Sequence, residues 1–288
     1  MNFEAYLQNA WTIHAVETQK LADEFSSNMS LIESNEQIAQ FGAIITHVTG
    51  EHLGIWGDGI SLLRLLKNHS LMQAGSETER VLLRSIASLQ IAGNLPVNID
   101  SFSTSDRVRI LAMATCHLCL HDVNRSQKLI LEALEKAKVL DSKDPANRSL
   151  AISGNNLACS LEEKTARTPE EVKLMILAAE TGRKYWELAG NWREVAVAEY
   201  RLAMTYLQAK DLEKAMIHAQ INLDLCQKNN AGDFDLFFVF EALAAIEKQK
   251  GNKQALQKNI ENMKHYLESL NETEKTIGER AIKKLQDN

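Results

Sequence analysis

The sequence predicts an all-α protein built from antiparallel helical hairpins, and two observations carry this prediction. Residues that break helices are scarce, with three prolines and 13 glycines among 288 residues. A short apolar motif also recurs in the middle of predicted helices. It ends at Ala114, Ala158, Ala203 and Ala244, at spacings of 44, 45 and 41 residues. Repetition at a period of about 20–50 residues is typical of arrays whose neighbouring units stack to bury a continuous core.

Each motif is followed by the start of a second helix. Residues that favour the N-cap stand eight positions after three of the alanines, at Asp122, Asp211 and Asn252, and ten positions after the other, at Thr168. Thr168-Pro169-Glu170-Glu171 combines a capping box with proline at the first helical position. Each repeat is therefore predicted to be a hairpin of two helices, and the regular hairpins span residues 105–268.

The flanking segments are also predicted to be helical. Residues 1–104 are predicted to hold irregular repeats, including one helix over about 3–25, a long helix from Ser34 to Gly54 and a helix over 77–93. Residues 269–288 are predicted to form an amphipathic helix that covers the last hairpin. The whole chain then holds about thirteen helices in an N-terminal region, a regular array and a C-terminal cap.

Composition limits the expected location and partners. The formal net charge is −6, so the chain lacks an overall basic field that would attract nucleic acid. Its start has neither the basic nor the apolar region of a signal peptide, and no apolar run is long enough to span a membrane. The four cysteines lie inside helical patterns. We therefore expect a soluble, cytoplasmic protein with reduced thiols that binds neither nucleic acid nor a membrane.

The repeat core resembles that of the tetratricopeptide repeat family. The best copy is Leu202-Ala203-x-x-Tyr206 followed by Asp211-Leu212 and Ala215, and Leu157-Ala158, Met113-Ala114 and Leu243-Ala244 match it less fully. The period exceeds the usual length of about 34 residues and falls in the range of HEAT and armadillo repeats. Lengthened repeats occur in kinesin light chain and in bacterial peptide-sensing regulators. The segment Asn155-Asn156-Leu157-Ala158 is similar to the repeat core of kinesin light chain. The resemblance implies a right-handed superhelical solenoid of antiparallel helical hairpins, with a HEAT-like stack as the alternative.

The resemblance also implies where a ligand binds. Tetratricopeptide arrays use the concave surface of their first helices, where asparagine is favoured because its amide both donates to and accepts from a peptide backbone. By the repeat register, the equivalent positions give a predicted peptide-binding site. Its residues are Asn155, Asn156, Tyr200, Arg201 and Glu241. Arg201 is expected to pair with a ligand carboxylate. The alternative for the two asparagines is bonding to local backbone groups.

Four phenylalanines crowd one predicted helix, at positions 234, 237, 238 and 240. Together they cover too much of the helix circumference to face a single neighbour. We expect most of them to pack between repeats, with one or two lining the ligand groove.

Two clusters combine metal-ligating residue types. Cys116-His117-x-Cys119-x-His121 lies on one predicted helix, whereas a structural zinc site needs four ligands that converge from two segments. His47, Glu51 and His52 also share one predicted helix, and their spacing matches no zinc motif. Cys116 and Cys119 share one face of the helix and are expected to be small apolar fillers, and hydrogen-bonded or solvated side chains explain the second cluster. No glycine-rich phosphate loop or nucleophile elbow is present, so we predict no catalytic residue, no metal and no cofactor.

These observations predict a non-catalytic module, an adaptor or regulatory scaffold that binds a protein or peptide on the concave face of its array. The alternative is an architectural subunit that self-associates into a homo-oligomer. Gel filtration with light scattering distinguishes the two, because a stable oligomer that buries the Asn155 and Asn156 face favours the second.

Asn156→Ala combined with Arg201→Ala is expected to abolish ligand capture and leave the fold intact, because both residues are predicted to project from the groove face. Ala203→Leu should instead destabilise the protein by about 1–3 kcal/mol, since it adds bulk where two helices approach most closely. Pull-down and thermal unfolding of the variants beside wild type measure the two effects. If the double variant melts at a clearly lower temperature than wild type and Ala203→Leu does not, the buried and exposed sides of these helices are reversed.

Overall fold

The computed structural model describes residues 2–287, and every regular element in this range is helical. The first seven α-helices are α1 (Phe3–Ile13), α2 (Thr18–Asn28), α3 (Asn35–His47), α4 (Trp56–Lys67), α5 (Glu77–Ala92), α6 (Thr104–Leu118) and α7 (Val123–Ala137). The others are α8 (Pro145–Glu162), α9 (Pro169–Ala189), α10 (Trp192–Gln208), α11 (Leu212–Lys228), α12 (Asp233–Lys250), α13 (Lys253–Leu267) and α14 (Glu272–Gln286). The predicted all-α class is confirmed, with fourteen helices in the described residues where about thirteen are predicted.

The chain divides into two compact units, with the boundary after Ser153 inside α8. The N-terminal unit holds α1–α7 and the first part of α8, and the C-terminal unit holds the remainder of α8 and α9–α14. The predicted boundaries at residues 104 and 268 mark changes in the repeat register, and they stay predictions.

The predicted starts of the second helices are confirmed. In all four, a side-chain oxygen of the cap residue accepts a hydrogen bond from the backbone N–H three positions later, at 3.0–3.2 Å. The cap residues are Asp122, Thr168, Asp211 and Asn252. Thr168 completes a capping box, since its own N–H donates to the Glu171 carboxylate at 2.7 Å. Each cap satisfies an N–H that the helix cannot bond, and stabilises the helix by about 1 kcal/mol.

Neighbouring helices pack consecutively within each unit. In the N-terminal unit α6 packs on α7, and in the C-terminal unit α10 packs on α11 and α12 on α13. Successive hairpins of the C-terminal unit meet where α9 contacts α10 and α11 contacts α12, and α10 and α12 also touch. Helix α14 packs against α12 and α13, and buries Ile282 and Leu285 there. The amphipathic helix predicted at the end of the chain therefore does cover the last hairpin.

Small residues lie buried at the centres of the repeat helices. The four motif alanines are all fully buried, and they are Ala114, Ala158, Ala203 and Ala244. Helices α8 and α9 are in close backbone contact, because a Cβ added to Gly154 would lie 2.6 Å from the backbone nitrogen of Gly182 and 2.7 Å from the carbonyl oxygen of Ala178. Backbone atoms cannot swing aside as a flexible side chain does, so this contact requires glycine at position 154.

The single helix predicted over residues 3–25 is wrong. Helix α1 ends at residue 13, and α2 begins at residue 18 after a turn. The turn lets Phe3 of α1 and Phe25 of α2 pack against the same ring, Phe41 of α3, at centroid distances of 6.2 and 5.8 Å. One straight helix would separate Phe3 from Phe25 by about 33 Å, so it could not bury both on Phe41.

The long helix predicted from Ser34 to Gly54 is correct at its start and differs at its end. Ser34 Oγ accepts from the Gln37 N–H at 3.3 Å, as an N-cap does. After residue 47 the regular α-helix gives way to a π-helical turn at Val48–His52. The pattern of apolar residues does not reveal this change, because the turn keeps Val48 buried.

The cysteine and histidine cluster of α6 is part of the interior of the N-terminal unit. Cys116 Sγ donates to the Ser153 carbonyl oxygen at 3.5 Å. His117 is buried, and its Nε2 lies 3.1 Å from Ser88 Oγ. Because the Ser88 hydroxyl donates its hydrogen to the Ser85 carbonyl oxygen, His117 Nε2 is the donor to Ser88 and carries the ring proton. Cys116 and Cys119 are both buried, which agrees with their predicted place as small residues of the interior.

No α-helix within residues 2–287 combines the length and the apolar composition that a bilayer crossing requires. Cys116, Cys119 and Cys226 are buried and Cys159 is half-buried, and all four thiols are free of disulfide bonds.

Gly154→Ala is expected to destabilise the protein by about 1–3 kcal/mol, because the added methyl meets backbone atoms of α9. Gly57→Ala is the matched control, since a Cβ on this glycine of α4 has no atom within 4 Å. The control should be neutral or more stable, because alanine favours a helix over glycine by up to about 1 kcal/mol. Urea unfolding monitored by circular dichroism measures both. Equal effects of the two substitutions would contradict the close contact of α8 with α9.

Acidification is expected to destabilise the fold through His117. Burial lowers the pKa of His117 to about 4, and the weaker effects of Glu51, which raises it, and His47, which lowers it, oppose each other. The unfolded histidine has a pKa of about 6.5. Between these two pH values the unfolded state binds more protons than the folded state. The contribution of His117 to the free energy of unfolding is therefore complete above about pH 6.5 and is lost as the pH falls toward 4, by about 3 kcal/mol in total.

Urea midpoints for wild type and His117→Gln between pH 8 and pH 5 measure this contribution. The free energy of unfolding of the variant is expected to depend less steeply on pH below pH 6.5, because only the other titratable groups still contribute to the slope. His265→Gln is the control, because His265 is exposed on α13. If the wild type and His117→Gln lose stability in parallel on acidification, His117 is not the buried neutral group described above.

Candidate functional site

Polar pairs link the first helices of three consecutive hairpins in the C-terminal unit. Arg201 of α10 forms an ion pair through Nη1 with the Glu162 carboxylate of α8. One residue earlier, the Tyr200 hydroxyl donates to the Glu241 carboxylate of α12 at 2.9 Å. Three of the five predicted site residues therefore take part in contacts that tie α8, α10 and α12 together.

The Arg201 pair is largely buried. Its side chain is 19% exposed and that of Glu162 10%, and the Thr205 hydroxyl donates to the second carboxylate oxygen. Burial acts to lower the pKa of Arg201, but the charge of Glu162 and its hydrogen bond outweigh burial and raise it. The guanidinium therefore stays charged and its charge is compensated within the protein. Arg201 Nε is also covered, and it has no hydrogen-bond partner.

This ion pair corrects one expectation from the sequence. Arg201→Ala removes the partner of a buried carboxylate, which typically costs about 3–5 kcal/mol. The double variant Asn156→Ala with Arg201→Ala is therefore not expected to leave the fold intact. Loss of ligand capture by this variant would not separate a binding defect from a folding defect.

Tyr200 is held in place from two sides. Besides the hydrogen bond to Glu241, its ring meets the Phe238 ring edge to face at a centroid distance of 5.8 Å. Burial, together with the neighbouring Glu241 carboxylate, raises the pKa of Tyr200 well above its ordinary value, so the phenol stays protonated and continues to donate. The side chain forms a fixed wall rather than a mobile contact.

A cavity of about 240 Å³ lies beside this wall, between α10 and α12 with α11 as its floor. Most of the side chains that line it are apolar or aromatic. They are Arg193, Ala196, Val197, Tyr200, Arg201, Asn222, Cys226, Phe234, Asp235 and Phe238. Val197 is 47% exposed at the rim, and Phe234 and Phe238 are half-buried. The cavity thus offers a mainly apolar recess whose rim is open to solvent.

A second recess of about 460 Å³ adjoins the first and extends to α8 and α9. Its lining residues are Asn155, Trp186, Asn191, Arg193, Glu194, Val197, Phe234 and Asp235. The two recesses share the ion pair between Arg193 Nε and Asp235 Oδ2, at 2.9 Å. Arg193 is 59% exposed, so this pair contributes little to stability, about 0–1 kcal/mol. Exchanging it for a ligand carboxylate is correspondingly easy.

The predicted asparagines differ in their surroundings. Asn155 lines the second recess, and its Oδ1 is covered yet lacks a hydrogen-bond partner. Leaving such an atom unpaired costs about 1–3 kcal/mol. Asn156 is half-buried and does not line either recess; its carbonyl oxygen accepts from Ser160 Oγ at 3.0 Å. Of the two, Asn155 is the residue that borders the recesses.

Several residues of the recesses are not among the five predicted from the sequence. Val197, Arg193 and Asp235 are absent from that set, since their repeat register gives no reason to single them out. The crowded phenylalanines did provide a signal. Phe237 is fully buried, Phe234 and Phe238 line the first recess, and Phe240 stacks on Tyr266. Two of the four therefore line a recess, and their part in a ligand groove stays a prediction.

Comparison with known proteins adds no relative. No family model, no curated protein and no solved structure matches the chain.

Proposed function

We propose that the protein is a non-catalytic binding module that holds a short peptide segment of another protein across α8, α10 and α12 of its C-terminal unit. The observation that carries this proposal is the pair of adjoining recesses that these three helices line together with α9 and α11. In the tetratricopeptide-like reading of the repeat, α8, α10 and α12 are the first helices of successive hairpins, which such arrays use for binding.

The first recess suits one side chain of a larger partner, and the adjoining second recess, at about 460 Å³ and open to solvent, gives the rest of a peptide room to continue. Pockets for drug-sized ligands enclose about 300–1,000 Å³ and bury most of the ligand. The first recess, at about 240 Å³, is below that range. A bulky apolar side chain that enters it would act as the anchor that dominates the affinity of many protein interfaces. Val197, Phe234 and Phe238 supply its apolar contacts.

Polar groups around the recess suit a peptide backbone. Asn155 Oδ1 and Arg201 Nε each lack a partner, and they offer an acceptor and a donor respectively. Both atoms are covered, so a ligand reaches them only after a local side-chain rotation. The compensated pair of Arg201 with Glu162 leaves Arg193 as the cation that exchanges partners with a ligand carboxylate. We propose this role for Arg193 in place of the one predicted for Arg201.

Val197→Asp is expected to weaken peptide binding at least about tenfold, equivalent to about 1.4 kcal/mol, because it removes apolar contact and places a charge at the rim of the recess. The probe is a set of peptides selected from a random displayed library against the full-length protein. Fluorescence anisotropy measures their affinity, and hydrogen exchange locates them. Protection is expected at residues 193–201 and 234–238.

Ile217→Asp is the matched control. Ile217 is a β-branched residue of α11 with 50% exposure, close to the 47% of Val197, and it does not line either recess. Equal binding by wild type and Val197→Asp would contradict the proposal, as would equal loss in both variants. Light scattering covers the architectural alternative, because a stable oligomer that Val197→Asp dissociates would identify the occupant of the recess as a second copy of the chain.

A further inference from the structure

We infer that the N-terminal unit binds a zinc ion through the imidazoles of His14, His47 and His52. One ring nitrogen from each of these side chains lies within 4.8 Å of the other two. They come from two separate segments, the C-terminal end of α1 and the end of α3 with the turn that follows it. Neutral imidazole is a preferred ligand of Zn²⁺. This inference does not depend on the proposed peptide-binding surface.

The π-helical turn after α3 is what brings two of the ligands together. On an α-helix, residues five positions apart point about 140° away from each other, so His52 would be turned away from His47. Instead, the Leu53 N–H donates to the Val48 carbonyl oxygen at 3.0 Å, the wider bond of a π-helix. His52 Nε2 then lies 3.0 Å from His47 Nε2. Single π-turns within helices are frequently found at functional sites.

Hydrogen bonds to Nδ1 prepare two of the rings for coordination. His14 Nδ1 lies 2.6 Å from the Trp11 carbonyl oxygen, which can only accept, so Nδ1 carries the proton and Nε2 has a lone pair. His47 Nδ1 lies 3.2 Å from the Glu51 carboxylate, with the same consequence for its Nε2. Carbonyl and carboxylate partners of this kind orient most metal-binding histidines. These two contacts of Nδ1 are a second observation, besides the clustering of the three histidines, that points to a metal.

The third ring adapts by a change of tautomer. Because His47 Nε2 can only accept, His52 Nε2 carries the proton and donates to it at 3.0 Å in the absence of metal. When the proton of His52 moves to Nδ1, both Nε2 lone pairs can point at one ion. Neighbouring nitrogens of a tetrahedral zinc site are about 3.4 Å apart, given Zn–N distances of about 2.1 Å. His47 and His52 are already near that separation, and the half-buried His14 ring, whose ligand nitrogen lies within 4.8 Å of the other two, reaches it by a small displacement.

Three protein ligands leave a coordination position for water or for a further donor. His52 is exposed, and the rings of His14 and His47 are half-buried beneath the partly exposed Trp11 indole. The ion is therefore reachable from solvent. The inference reverses the prediction from the sequence that His47, Glu51 and His52 are solvated or hydrogen-bonded and bind no metal. That prediction missed His14, because a continuous helix over 3–25 gives no reason to bring it near His47, and because His47 and His52 diverge on a regular α-helix.

Titration calorimetry with zinc chloride, on full-length protein prepared without an affinity tag, tests the inference. We expect one zinc ion per chain. His52→Gln and His14→Gln each remove a ligand. Each should weaken zinc binding by more than about 100-fold, because the loss of a hydrogen-bond partner of a ligand already costs about 10–100-fold. Glu51→Gln changes only the partner of His47 Nδ1, so it should weaken zinc binding by about 10–100-fold. Cobalt(II) should give the intense visible absorption of tetrahedral coordination in wild type but not in His52→Gln.

His69→Gln and His265→Gln are the controls, since His69 follows α4 in the same unit and His265 is exposed on α13 of the other. Both should bind zinc as wild type does. Circular dichroism and thermal unfolding without metal check that each variant folds, and zinc should raise the melting temperature of wild type but not of His52→Gln. Absence of zinc binding would overturn the inference. So would wild-type affinity in His14→Gln or His52→Gln, or an equal loss in the two controls.

Discussion

The close approach of helices at small residues is the constraint on which the C-terminal unit depends. Gly154 meets the backbone of α9 and Ala203 is fully buried, so neither position has room for a larger side chain. Tyr200 and Arg201 directly precede the Leu202-Ala203 core and reach toward the neighbouring first helices. The recesses lie along the same stretch of α10.

Desolvation explains why the polar side chains of this face bind each other. A buried charge without a partner is costly, so Arg201 is paired with Glu162, and Tyr200 donates to Glu241. These contacts tie α8, α10 and α12 together and give the recess rigid walls, which lowers the entropy lost when a ligand binds. In the proposed binding mode, recognition falls to exposed apolar groups such as Val197 and to the exposed cation of Arg193.

The N-terminal unit uses a local irregularity where the C-terminal unit uses regular repetition. The turn between α1 and α2 and the π-helical turn after α3 both interrupt regular helices, and the first allows aromatic rings from α1 and α2 to enclose Phe41. The same two interruptions set the positions of His14 and His52. The turn after α1 therefore serves both the packing around Phe41 and the position of His14.

The sequence by itself determined the helical class, the starts of the second helices and the buried motif alanines, because caps, proline scarcity and apolar periodicity act over a few neighbouring residues. It also led to Asn155 and Tyr200, which do border the recesses. Only the tertiary structure decided that Arg201 is taken by Glu162, 39 positions away, and that His14 meets His47. Such pairings depend on helix ends and long-range contacts that local residue patterns do not encode.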